Sequence, residues 1–85
     1  MNVVVLLPCY NEALTIVAVI HQMREALPGA RIVVFDNNSK DGSGDLARAE
    51  GVEVRPVPLQ GKGNVVRRMF ADIEADIYLM VDADT

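Results

Sequence analysis

The chain has 85 residues, which allows one domain at most. With 51% hydrophobic and 24% charged residues it falls among folded globular chains and outside the disordered class. Eight basic against twelve acidic residues give a net charge of −4, which argues against a nucleic-acid binder built on clustered Lys and Arg, and one cysteine excludes an internal disulfide.

The opening run carries no basic n-region and reaches Pro8 after five apolar residues, too few for the core of a signal peptide. The apolar stretch Ala13 to Ile20 is interrupted by Thr15 and falls far short of the roughly 20 residues that cross a bilayer. We therefore expect a cytoplasmic segment. Any association with the cytoplasmic face of a membrane would come from parts outside it.

Short apolar runs alternate with helical periodicity. Val3–Leu7 reads as the first strand. From Glu12 to Leu27, Ile16, Ile20, Met23 and Leu27 line one helical face, with Asn11 as the expected N-cap and Pro28-Gly29 as the stop. Ile32–Phe35 is the second strand, and Ser43 to Glu50 a short helix that Gly51 ends. Val52–Val54 alternates and runs into Pro56, the mark of an edge strand. Asn64 to Glu74 presents Val66, Met69, Phe70 and Ile73 on one helical face, and Ile77–Val81 is the fourth strand.

This alternation predicts parallel βαβ units with right-handed crossover helices. Three strands are continuous apolar runs, as strands covered on both faces are. The order 3-2-1-4 satisfies all of this and is a Rossmann-like half sheet in an α/β fold. It leaves the apolar fourth strand without an outer neighbour, so we expect the 85 residues to be the N-terminal part of a larger α/β domain.

In such a sheet ligands bind beyond the carboxyl ends of the strands, around the switch between strands one and four. Asp82 and Asp84 follow an apolar strand at i, i+2 spacing, which in extended chain puts both carboxylates on one side. Two close carboxylates invite Mg²⁺ or Mn²⁺ shared with a substrate phosphate; a polar strand end is the plainer reading. Asp36, Asn37, Asn38, Ser39 and Asp41 form either an ordinary turn or a polar rim. The first turn lacks G-x-G-x-x-G, which counts against a dinucleotide cofactor. Tyr10 and Glu12 stand beside Pro8 at the expected crevice, although Glu12 also suits a helix start. Lys62, between Gly61 and Gly63, has the look of a phosphate contact at a helix N-terminus. Its loop belongs either to the far edge or to the same cleft. Cys9 and His21 have no partner for catalysis and read as structural or surface residues.

Pro8-Cys9-Tyr10-Asn11-Glu12, Asp36-Asn37-Asn38-Ser39-Lys40-Asp41-Gly42, Gly61-Lys62-Gly63 and Asp82-Ala83-Asp84 together resemble the ordered motifs of family 2 glycosyltransferases, which have the GT-A fold. The resemblance covers the whole chain. G-K-G with D-A-D looks most like the dolichyl-phosphate and polyprenyl-phosphate sugar transferases. It implies that Pro8, Tyr10 and Glu12 contact the nucleotide, and that Phe35, Asp36 and Asn37 read the base and ribose. Family members often carry a second Asp where this chain has Asn37. It further implies that Asp82, Ala83 and Asp84 are the D-x-D motif, with Asp82 facing the ribose or sugar and Asp84 binding the metal. The catalytic base is expected downstream.

The resemblance thus implies the nucleotide-sugar-binding portion, residues 1–85, of a glycosyltransferase domain cut just after the D-x-D. The parent would move a sugar, with inversion, from a nucleoside-diphosphate donor to a polyprenyl phosphate or a cell-envelope glycan. These residues alone are expected to be inactive. The competing readings are a receiver-type signalling domain, whose acidic pair after strand one is missing here, and a catalytically silent nucleotide-binding module.

Overall fold

The structure, a computed structural model, describes residues 1–83. Four parallel strands, β1 (Val3–Cys9), β2 (Arg31–Asp36), β3 (Glu53–Pro56) and β4 (Ile77–Met80), lie in the order β3-β2-β1-β4. Helices α1 (Ile16–Ala26), α2 (Ser43–Ala49) and α3 (Lys62–Asp72) make the crossovers. Right-handedness dictates where they go. The first two crossovers step from β1 towards β3, so α1 and α2 share one face of the sheet. The third returns across the sheet to β4, so α3 covers the other face.

The pleat sorts the core accordingly. Val5, Leu7, Cys9, Ile32 and Val34 meet Ile16, Val19, Ile20 and Ala47 on the α1/α2 side. Val4, Leu6, Val33 and Phe35 meet Val65, Met69 and Ile73 of α3 on the other. The apolar runs of β1 and β2 are therefore strands buried on both faces, as expected, whereas that of β4 is largely exposed, and β3 with Pro56 is an edge.

Two local expectations are corrected. Helix α1 begins at Ile16, not Glu12, because the Glu12 carbonyl accepts from the N–H groups of Thr15 at 3.1 Å and Ile16 at 2.9 Å and closes a turn first. Asn11, at φ 52°, does not cap that helix; its side-chain oxygen accepts from the Lys40 N–H at 2.8 Å. Helix α3 starts at Lys62; Met69 and the following Ile73 are buried as expected, but Val65 takes the place expected of Val66. With valine at both 65 and 66 the pattern permits either orientation, and the sheet selects Val65. Phe70 is left half-exposed, edge-on to Tyr78 with ring centroids 5.2 Å apart.

Strand β4 is the other edge, with Ile77, Leu79 and Met80 exposed by 40% or more. An apolar strand with an unpaired row of N–H and C=O groups templates pairing with another copy. A polypeptide of these 85 residues should therefore self-associate. Sedimentation velocity over a concentration series checks this, and a monomer at every concentration would refute it.

Candidate functional site

A cleft of about 290 Å³ opens beyond the carboxyl ends of β1 and β4, at the switch point of the sheet. Its lining brings together seven of the expected site residues. Pro8 and Tyr10 come from the end of β1 and Glu12 from the turn that follows. Asn37 comes from the end of β2, Lys62 from the start of α3, and Asp82 and Ala83 from the stretch after β4. Asp84 lies outside the described residues.

The G-K-G loop belongs to this cleft and not to the far edge. Lys62 is the first residue of α3, and its Nζ stands 3.6 Å from Asp82 Oδ1. Both side chains are more than half exposed, so the pair contributes little stability. Its interest is chemical. A cation at the positive end of a helix that has no acidic residue in its first turn is unfavourably placed, and Asp82 offsets this only in part, so the spot favours a further anion.

Ala83 explains how the chain presents Asp82. The Ala83 methyl is buried with Val5, Leu7, Cys9 and Ile16, and the Thr15 hydroxyl donates to the Ala83 carbonyl oxygen. This anchor holds the segment after β4 against α1 and leaves the preceding carboxylate at the cleft.

Phe35 and Asp36 are not brought to the cleft lining. Phe35 is fully buried beneath α3. Asp36 points to the α2 side, where its carboxylate accepts from the Ser39 N–H at 3.2 Å. A Cβ on Gly44 would stand 2.5 Å from Asp36 Oδ2, so a larger residue there would make the Asp36 carboxylate shift. Asn37 is 4% exposed and its carboxamide is taken up by the chain itself. Nδ2 donates to the carbonyls of Val57 and Leu59, both at 2.9 Å, and Oδ1 accepts from the Gly61 N–H at 3.0 Å.

The sequence did not single out Gln60 or Thr15. Gln60 lines the cleft, and its position before a glycine carries no signal of its own. Thr15 reads as a break in an apolar run, and only the fold brings it to Ala83. Cys9 borders the cleft, but burial first and then the Asp36 charge push its thiol above the ordinary value, which keeps it protonated and inert. His21 pairs with Glu50 across α1 and the end of α2, away from the cleft. Among the described residues no three His, Cys, Asp or Glu side chains converge as a metal cage.

The two loops on the α1/α2 side are laced together. The Asn11 N–H donates to Ser39 Oγ at 2.9 Å and the Glu12 N–H to Ser43 Oγ at 2.8 Å. Asp41 accepts from the Ser43 N–H and from the Ala13 N–H, each at 3.0 Å. The helix cap of α2 is Gly42, so Asp41 acts as a tie between loops. The Ser43 hydroxyl, helped by these N–H groups, holds the Asp41 carboxyl below its ordinary 3.8. A carboxyl lowered on folding adds stability above its unfolded value and adds none once pH falls through its folded value. The stability gap between wild type and Asp41→Asn should therefore be full at neutral pH and close as pH drops below 3.8. Thermal melts of both proteins through the acid range check it; a gap that persists in strong acid would contradict it.

A family model described as Glycosyl transferase family 2 matches residues 4–85. Protein RfbJ of Shigella flexneri is 55% identical over 83 residues, which cover 98% of this chain and 64% of RfbJ. Among solved structures, mannosyl-3-phosphoglycerate synthase from Rubrobacter xylanophilus is similar with a TM-score of 0.88 at 31% identity, over 100% of this chain and 31% of that one. Glucosyl-3-phosphoglycerate synthase from Mycobacterium tuberculosis, solved with Mn²⁺, UDP and phosphoglyceric acid, has a TM-score of 0.86 at 30% identity, over 96% of this chain and 32% of that one. The chain thus spans less than two thirds of the length of each protein. Its strand order and these likenesses bear out the expected Rossmann-like half of a GT-A fold.

Proposed function

The chain belongs to glycosyl transferase family 2, and from that premise we propose that its cleft binds the nucleoside-diphosphate sugar of an inverting sugar transfer. The observation that carries this reading is the convergence of Asp82 and Lys62, 3.6 Å apart, on one cleft at the switch point. A donor of this kind offers a flat base, a ribose and a doubly ionised diphosphate. Tyr10, half-exposed at the cleft, offers the base an aromatic face. Lys62 and the start of α3 receive the diphosphate, whose negative charge grows as the bond to the sugar breaks. Asp82 faces the ribose or sugar, and Glu12 and Pro8 shape the wall beside it.

The donor set suits a hard divalent cation. Asp82 is an exposed oxygen ligand at an open cleft, and with Asp84 it supplies the one or two carboxylates with which Mg²⁺ or Mn²⁺ binds alongside substrate phosphates. Such a cation, when bound, neutralises charge on the leaving diphosphate as a Lewis acid. The similar glucosyl-3-phosphoglycerate synthase, solved with Mn²⁺ and UDP, supports this assignment. Phe35 and Asp36 serve the donor through the backbone they hold, one by packing under α3 and the other by tying the loop after β2.

The chain is the donor-binding portion of its domain, in keeping with its share of the longer relatives. The acceptor we propose is a polyprenyl phosphate or a cell-envelope glycan, met at the cytoplasmic face of a membrane. The support is the likeness of G-K-G and D-A-D to the polyprenyl-phosphate branch. Among the described residues no helix is long and apolar enough to cross a membrane.

Calorimetry on the intact protein with UDP and with GDP, in Mn²⁺ and in chelator, tests the reading. Binding of one nucleotide should tighten about tenfold or more with metal. Equal affinity in chelator would remove the metal, and no binding of either nucleotide would remove the donor.

A further inference from the structure

We propose that Asn37 and Asn38 form an amide clamp on residues 57–61 that sets Lys62 at the cleft, which makes Asn37 a positioning residue for the diphosphate. The second half of this statement rests on the donor reading above; the clamp does not.

The link from β3 to α3 has little else to hold it. Val57 is buried in the core beneath α3, but Leu59 is 67% exposed, so apolar packing does not anchor the bend beyond Val57. The Val57 N–H donates to the Asp36 carbonyl at 2.8 Å, and beyond that point the two asparagines take over. Asn37 Nδ2 donates to the carbonyls of residues 57 and 59, and Asn38 Nδ2 donates to the Pro58 carbonyl at 2.9 Å and to Gln60 Oε1 at 3.1 Å. Three consecutive carbonyls thus accept from two adjacent carboxamides. Extended backbone would send neighbouring side chains to opposite faces. Asn38 avoids this by adopting φ 63°, a left-handed conformation that asparagine tolerates better than most residues.

The clamp ends where the charge begins. Asn37 Oδ1 accepts from the N–H of Gly61, the residue that precedes α3 and makes no side-chain cap bond of its own. The next residue is Lys62. Where the clamp places Gly61, it places the lysine.

The chemistry requires an amide. A carboxamide donates twice here and accepts from the Gly61 N–H and, at 3.4 Å, from Gln60 Nε2, whereas an ionised carboxylate has no donor. Asn37→Asp keeps the volume and the acceptor for Gly61 but sets a negative oxygen against the carbonyls of residues 57 and 59. Protonation would return one donor.

The test uses the intact protein, backbone hydrogen exchange and titration with UDP in Mn²⁺. At about pH 8, Asn37→Asp should raise exchange at Val57 and Gly61 about tenfold, leave β1 at its wild-type protection, and weaken UDP about tenfold. Asn38→Gly, which removes the carboxamide and keeps the left-handed backbone, should move both readouts the same way by less. Lowering the pH should restore Asn37→Asp towards wild type. The titratable groups that share its surroundings are Cys9, Tyr10, Glu12, Lys62 and Asp82 around the cleft and Asp36 on its own strand, and wild type carries all of them as the control. Unchanged exchange at residues 57–61 in both variants would overturn the clamp. Raised exchange with unchanged UDP affinity would overturn the positioning role. A wild type that binds neither UDP nor GDP would remove the donor reading, and with it the positioning role, and leave the clamp to be decided by exchange.

Discussion

Asp84→Ala in the intact protein should lower sugar transfer by a factor of about a thousand or more, and Asp82→Ala by about ten- to a hundredfold. The difference follows from the roles proposed for the two carboxylates. Departure of a nucleoside diphosphate piles negative charge on oxygens that must be neutralised without reorganisation. Lys62 offers one positive charge on a long, exposed stem, which is not enough by itself. The residue we assign as the principal metal ligand is Asp84, outside the described residues. Asp82, at the cleft and 3.6 Å from Lys62, is the residue we propose to face the ribose or sugar and to assist. Transfer assays, with melts of both variants to confirm folding, provide the measurement. The Asp82 side chain is exposed and outside the packed core, so the melt of its variant should stay close to wild type. An active Asp84→Ala enzyme would defeat the metal assignment.

Phe35→Ala should destabilise the protein by about 3–5 kcal/mol, the ordinary result of emptying a large aromatic from a packed core. Phe35 is fully buried among Val4, Leu6, Val33, Val65, Met69 and Ile73, so its loss opens a hole between the sheet and α3 that neither can close. Domains of this size have total stabilities of about 5–15 kcal/mol, and this one belongs at the low end, so the change approaches unfolding. Phe35→Leu, which keeps most of the volume, should cost less than about 2 kcal/mol and leave nucleotide affinity where it was. Urea melts and UDP titrations on the leucine variant separate the two roles. A leucine variant that melts like wild type but binds UDP poorly would mean that the ring reads the base after all.

These two residues also show what was legible before any coordinates. The strand order followed from three apolar runs and one alternating strand ending in Pro56, because coverage by helices and exclusion of proline from sheet interiors leave few arrangements. The crevice followed from that order. The motif Phe35-Asp36-Asn37, taken as one stretch, hid a distinction that the pleat enforces: the Asp36 side chain goes to the face opposite Phe35. Phe35 joins the core beneath α3, Asp36 ties a loop on the α2 side, and Asn37 reaches the link between β3 and α3. The start of α1 and the face of α3 were not legible for a different reason. A turn closed on the Glu12 carbonyl, and a choice between Val65 and Val66, are decided by partners far along the chain.

Two neighbouring letters of the D-A-D motif obey different rules as the sequence drifts. Position 82 faces an open cleft, where there is room for bulk and the charge is what the role proposed for it needs. Position 83 is 2% exposed between β1 and α1, with its carbonyl held by Thr15, and is filtered by volume, since even a few added methylenes would lever the segment off its anchor. A larger side chain at the middle letter should therefore be disfavoured for a reason unrelated to sugar or metal. Pressure to keep the protein folded and pressure to keep it active meet one residue apart and are answered by different atoms.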